Sequence, residues 1–193
     1  MASRYTDTVI DHFRNPRNLG IVENYNGKGI TGDPECGDFL EVTIRMDEKS
    51  LQVSAVKFRC RGCPAAIASS SMMTTMVQSK DINEILCLTE RDVVDALGGL
   101  PEGKEHCSVL GIQAIRDAIA DYLLFSTALS QGLLENRAQY ERMLNGKRIT
   151  MGPHVCDGTC QTLMKNEPVE LREREFSGVP IPGEKYWPNL TKT

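Results

Sequence analysis

Several things are scarce in this sequence, and each absence removes a class of function. No stretch approaches the roughly 18 consecutive apolar residues of a membrane-spanning helix, so no membrane role is expected. Basic residues do not dominate. Lys and Arg number 22 against 26 Asp and Glu, for a net charge of −4, and a general nucleic-acid binder would need the opposite balance. Aromatic residues make up 6% of the chain, with Trp187 the single tryptophan. The opening residues, MASRYTDTVIDHF, lack the charged-then-apolar layout of a secretory leader, and their aspartates sit badly in a transit peptide. A cytoplasmic location is therefore expected. At 193 residues, 40% of them hydrophobic, the chain can bury one core and still carry an appendage.

Cysteine, by contrast, is plentiful: seven residues, at 36, 60, 63, 87, 107, 156 and 160. Disulfides are rare in the cytoplasm, so the available readings are metal ligation, thiol chemistry or inert burial. Their scatter along the chain points to more than one role.

The pattern of apolar residues places these cysteines on elements. Residues 5–13 suit a short helix ended by Asn15-Pro16. Residues 20–38, rich in Gly, Asn and Asp, read as loop with one weak strand at most. Leu40, Val42, Ile44 and Met46 alternate with polar residues as in a half-buried strand. A return strand is predicted over Leu51–Arg59, with a bulge near Ala55-Val56. Pro64 at a first helical position opens a helix rich in small residues. Two short helices follow, over 81–88 and 89–97, each starting on a good capping residue. A long helix is predicted from Cys107 to Leu129, with Ile112, Ile115, Ile119 and Tyr122 as its apolar stripe. Leu133–Leu144 reads as one more helix. Beyond it, the proline-dotted end reads as an extended segment lying on something else.

Three cysteines thereby share an address. Cys36 precedes a strand, Cys63 precedes Pro64 at a helix N-terminus, and Cys107 starts the long helix. Helix N-termini favour thiolate, the form that binds metal and attacks sulfur. Asp38 and His106 add harder ligands, and Gly37 lets the backbone aim Cys36 and Asp38 at one point. Three thiolates with one oxygen or nitrogen ligand suit a tetrahedral zinc or an iron–sulfur cluster. Plain burial of each thiol is the competing reading. Activation of Cys107 by His106 is a third, made awkward by their being adjacent on a helix.

The blocks YTDTVIDHFRNPRNLG, PECGDFLEVTI, GCPAAIASSSM and LGGLPEGKEHCSVLG, in that order, resemble the iron–sulfur cluster scaffold family of IscU and the N-terminal domain of NifU. The resemblance covers about residues 5–125. It implies an α+β fold, with a small three-stranded antiparallel sheet packed on helices and the site at one exposed end. It implies that Cys36, Cys63 and Cys107 hold a [2Fe–2S] cluster, with Asp38 keeping it labile and His106 beside the third cysteine. It further implies that Cys107 accepts persulfide sulfur from a cysteine desulfurase, that Lys104 can compete for a ligand position, and that iron enters and the cluster leaves to recipient apoproteins. Such a protein is a scaffold and carrier, not an enzyme. Zinc in place of the cluster, in a sulfur acceptor of the SufU type, is the alternative on the same residues. Whether a cluster sits in one subunit or bridges a homodimer stays open at this stage.

The segment LPEGK, Leu100–Lys104, departs from the LPPVK that IscU presents to a dedicated heat-shock chaperone, so a chaperone partner is not expected. Cys60 makes a C-x-x-C with Cys63 but sits at a strand end, and is expected to be a spectator or auxiliary thiol. Cys87, in EILCLTE, reads as core. Residues 1–129 are expected to form the scaffold domain. Residues 130–193 are expected to be a tail and not an independent domain. In that tail His154, Cys156 and Cys160 of GPHVCDGTC are candidate ligands, weighed against two thiols in a packed turn.

Overall fold

The computed structural model describes residues 5–33, 38–151 and 171–174. Helix α1 (Asp7–Arg14) starts where the Thr6 side chain accepts from the Val9 N–H and ends at Asn15. Strands β1 (Gly27–Asp33), β2 (Asp38–Met46) and β3 (Val53–Arg61) form an antiparallel sheet in that order. The helices α2 (Pro64–Val77), α3 (Ile82–Cys87), α4 (Glu90–Ala96) and α5 (His106–Ser130) follow. The α+β architecture expected from the sequence is the one observed. Capping boxes on Asp81/Glu84 and Thr89/Asp92 start the two short helices where sequence reading placed them.

One side of the sheet makes the core. Leu40, Val42, Ile44 and Met46 of β2 and Val56 and Phe58 of β3 are buried there, against Ile112, Ile115, Ile119 and Tyr122 of α5. Met73 is fully buried, and Met72 and Met76 pack beside it as fillers. The bulge falls one residue earlier than expected: Arg45 pairs with Ala55 and Met46 with Val53, leaving Ser54 over, its hydroxyl donating to the Arg45 carbonyl at 2.8 Å.

A second difference is larger. The glycine-rich stretch that reads as mostly loop with one weak strand contains β1, a full seven-residue strand paired with β2 from Gly27 opposite Ile44 to Asp33 opposite Asp38. The physical reason lies in α5, which crosses β1 at backbone contact. A Cβ on Gly29 would stand 1.9 Å from the Ala114 carbonyl oxygen, and one on Gly27 2.4 Å from that of Ala118. Glycine weakens a strand intrinsically, yet here only glycine lets the helix approach.

The chain after α5 folds back onto this body. Helix α6 (Arg137–Leu144) and strand β4 (Arg148–Met151), paired with β5 (Leu171–Arg174), form the described part of the tail. Arg137 ties it down. Its guanidinium pairs with the buried Asp121 of α5, donates to the Asn26 carbonyl at 3.1 Å, and lies about 5 Å from the rings of Tyr25, Phe125 and Tyr140.

On the opposite flank, His12 of α1 is buried with its Nδ1 2.9 Å from the Ser71 hydroxyl of α2. Burial, and next the neighbouring Arg17, hold the His12 pKa below its ordinary value.

Two outcomes check this account. Gly29→Ala, by driving a methyl into the α5 backbone, is expected to cost about 3 kcal/mol or more of stability in urea unfolding. A loss under about 0.5 kcal/mol would mean that the helix does not depend on that approach. For His12 the unfolded state binds the proton more readily, so stability is full above the ordinary histidine pKa and declines as pH falls through it toward the lower folded value. His12→Gln is expected to flatten that decline in melts taken from pH 7 down to pH 5.

Candidate metal and sulfur site

Two of the three cysteines meet. Cys63, in extended backbone, is the N-cap residue of α2, and Pro64 follows at the first helical position. Cys107 is the second residue of α5, its N–H bonded to the Lys104 carbonyl at 3.1 Å. The two Sγ atoms lie 3.5 Å apart. Neither cysteine is in a disulfide, so the contact is a thiol–thiol approach. Two thiolates bound tetrahedrally to one metal at about 2.3 Å would stand about 3.8 Å apart, so the pair fits a shared ion with little adjustment.

The other expected ligands come to the same end of the fold by their backbone positions. Asp38 is the first residue of β2, and its neighbour Phe39 pairs with Arg61, two residues before Cys63. His106 is the first residue of α5, beside Cys107. Cys36 lies outside the described residues, as do His154, Cys156 and Cys160. Lys104 sits in the turn before α5 and is half-buried.

Tyr5 was not singled out by sequence reading, and it borders the pair. Its pKa is raised first by burial, then by the negative charge that Cys63 carries as a thiolate, with Lys104 opposing and Cys107 adding to the rise. Phenol, ammonium and two thiols therefore share one electrostatic neighbourhood. The available signal was positional: Tyr5 opens the block that ends in DHFRNPRN.

The remaining cysteines separate as strand and helix geometry requires. Cys60 follows the inward alternation of Phe58, is 7% exposed and packs in the core. Cys87 closes α3, half-buried and engaged in a disulfide, where the sequence suggested a plain core thiol. Cys107 is 1% exposed and Cys63 is the more open of the pair.

A three-stranded antiparallel sheet backed by helices, with thiols at two helix starts beside one sheet end, defines a small α+β protein with a two-thiol site at that end. Residues 4–127 match the NifU-like N terminal domain family, and the chain belongs to that family. Among curated relatives, the chain is 45% identical over 124 residues to the iron-sulfur cluster assembly scaffold protein IscU of Aquifex aeolicus, covering 64% of this chain and 79% of that one. It is 48% identical over 118 residues to the IscU 1 scaffold protein of Archaeoglobus fulgidus, covering 61% and 76%. Identity to the Escherichia coli IscU scaffold protein is 40% over 121 residues, covering 61% of this chain and 93% of the other. The family match ends at residue 127, three residues before the end of α5, so α6 and β4 lie beyond it.

Differential exposure gives a direct check. A brief pulse of iodoacetamide on the reduced, metal-free chain, mapped by mass spectrometry, is expected to label Cys63 ahead of Cys60 and Cys107. Labelling of Cys60 first would contradict its inward placement.

Proposed function

We propose that this chain is a scaffold on which an iron–sulfur cluster is assembled and from which it is passed on. The observation that carries the reading is the 3.5 Å approach of Cys63 and Cys107 at two helix starts, in a chain of the NifU-like family. Iron and sulfur are cargo here. Cys36, Cys63 and Cys107 are the thiolate ligands, and Asp38 or His106 supplies the weaker position. A store of clusters would use four thiolates, whereas a donor needs one ligand that yields, and a carboxylate or imidazole on iron is that ligand.

Sulfur arrives on a cysteine desulfurase as a persulfide. The Cys107 thiolate attacks its terminal sulfur, forming the Cys107 persulfide and releasing the desulfurase cysteine as thiolate. Lys104 and Tyr5 border the place where that charge moves. Ferrous iron and an external electron donor reduce the persulfide sulfur to sulfide, and the product is a [2Fe–2S] cluster handed to recipient apoproteins in the cytoplasm. Residues 1–129 carry this role, and residues 130–193 are an appendage to the same body. The scaffold turns over no substrate as an enzyme does.

Anaerobic reconstitution with ferrous iron, cysteine and a desulfurase tests the proposal. The expected result is a brown protein with visible charge-transfer bands that disappear in Cys63→Ser and Cys107→Ser. Asp38→Ala is expected to retain the colour and to release the cluster to an apo-ferredoxin more slowly. A colourless protein that keeps one zinc and accelerates the desulfurase would replace the scaffold reading with that of a zinc-dependent sulfur acceptor.

A further inference from the structure

The described part of the tail does more than lie on the scaffold: it roofs a cavity of about 340 Å³ on the outer side of the sheet, away from the thiols. That volume is within the range of small-molecule sites. Among the described residues, six charged ones line it, Lys28, Arg137 and Lys147 against Glu41, Asp121 and Glu141. Balanced signs favour a ligand that carries both charges over a simple anion or cation. Ile30, Leu144 and Ile149 supply apolar surface between them.

Most of these charges are already paired. Arg137 is held by Asp121, while Lys28 donates to Glu141 at 3.0 Å and to the Tyr25 hydroxyl at 3.4 Å. Glu41 is different. It is 7% exposed, and Arg59 directs both of its contacts at the same oxygen, Oε2. Oε1 accepts no hydrogen bond from the described residues, although the side chain lines the cavity. A carboxylate oxygen that Arg59 leaves uncontacted is best matched by a cationic N–H donor. Lys28 complements it. Two of its three ammonium protons are used by described partners, leaving one for an acceptor.

The sheet sets their spacing. Ile30 is the register partner of Glu41, and Lys28 lies two residues along β1 on the same face. Glu41 and Lys28 are thus diagonal neighbours, about 7–8 Å apart at the backbone. A molecule with an ammonium and a carboxylate on one carbon bridges two such side chains.

We propose that this cavity binds a free α-amino acid as its zwitterion, the ammonium on Glu41 Oε1, the carboxylate on Lys28 Nζ and the side chain over Ile30 and Ile149. The site is built jointly by the family fold and its extension and requires neither metal nor sulfur, so it stands or falls separately from the scaffold reading.

Isothermal titration and amide NMR shifts on the full chain test it, with L-alanine and L-valine as probes and acetate and methylamine as half-ligands. The expected result is a Kd of about 1 mM or tighter for L-valine, and binding at least about tenfold weaker for each half-ligand. Glu41→Gln, which keeps the shape and removes the charge, is expected to weaken L-valine about tenfold. Ile149→Phe, which fills the cavity and touches none of the named ion pairs, is expected to abolish binding. Amide shifts should cluster on β1, β2 and α6. Absence of binding by both amino acids at about 50 mM, methylamine binding as tightly as L-valine, or undiminished binding in either variant that folds would each overturn the proposal.

Discussion

The close crossing of α5 over β1 is the constraint on which the rest depends. Two glycines two residues apart on one strand remove the side chains that would hold the helix off, and Ala114 and Ala118 meet them from the helix. Helix and strand then run at backbone distance, with the Thr31 hydroxyl donating to the Leu110 carbonyl at 3.1 Å near the site end and Asp121 accepting the Lys28 N–H at 2.8 Å near the other. This fixes where the first turn of α5, and with it Cys107, sits relative to the sheet end from which Cys63 departs. The 3.5 Å thiol approach is therefore a consequence of a contact made several residues away.

That dependence explains which parts were legible in the sequence. The helices and the two strands with clear alternation announce themselves through apolar periodicity and capping residues, because those signals are local. Strand β1 does not. Its residues, GKGITGD, have low strand propensity, and their reason for being glycine lies about 85 residues further on. Cys63 and Cys107 could be placed at helix starts from Pro64 and from the onset of the apolar stripe. Their proximity could not, since it requires the crossing. Cys60 was decided by alternation: two positions after Phe58 on the same strand it must point inward, whatever its spacing to Cys63 suggests.

The extension illustrates the same limit more strongly. A helix over Leu133–Leu144 was readable, although α6 begins only at Arg137. What holds it was not. Arg137 finds Asp121 on α5 and the ring of Tyr25, which lies 112 positions earlier in the chain, and no local pattern marks that pairing. Burial raises the pKa of Asp121 and the Arg137 guanidinium opposes that rise, so each group makes the other's burial tolerable. The aromatic cage then covers the cation with ring faces instead of water. An arginine in RAQYERML would ordinarily read as one more solvated helix residue.

There is a tension between burial and access at the thiols. In the proposed role Cys107 must be reached by a partner's persulfide, yet it is 1% exposed. The loop before α5 bears on that tension. Gly98, Gly99 and Gly103 all have positive φ, and a side chain on Gly99 or Gly103 would meet nothing within 4 Å, while Leu100 between them packs against the core. The Gly27 and Gly29 contacts lie two to three turns further along the helix than Cys107. The fold thus separates the tight crossing that aligns the thiols from a glycine-rich turn just before Cys107, and the glycines serve the two in opposite ways: in β1 they permit close contact, and before α5 Gly99 and Gly103 face open space.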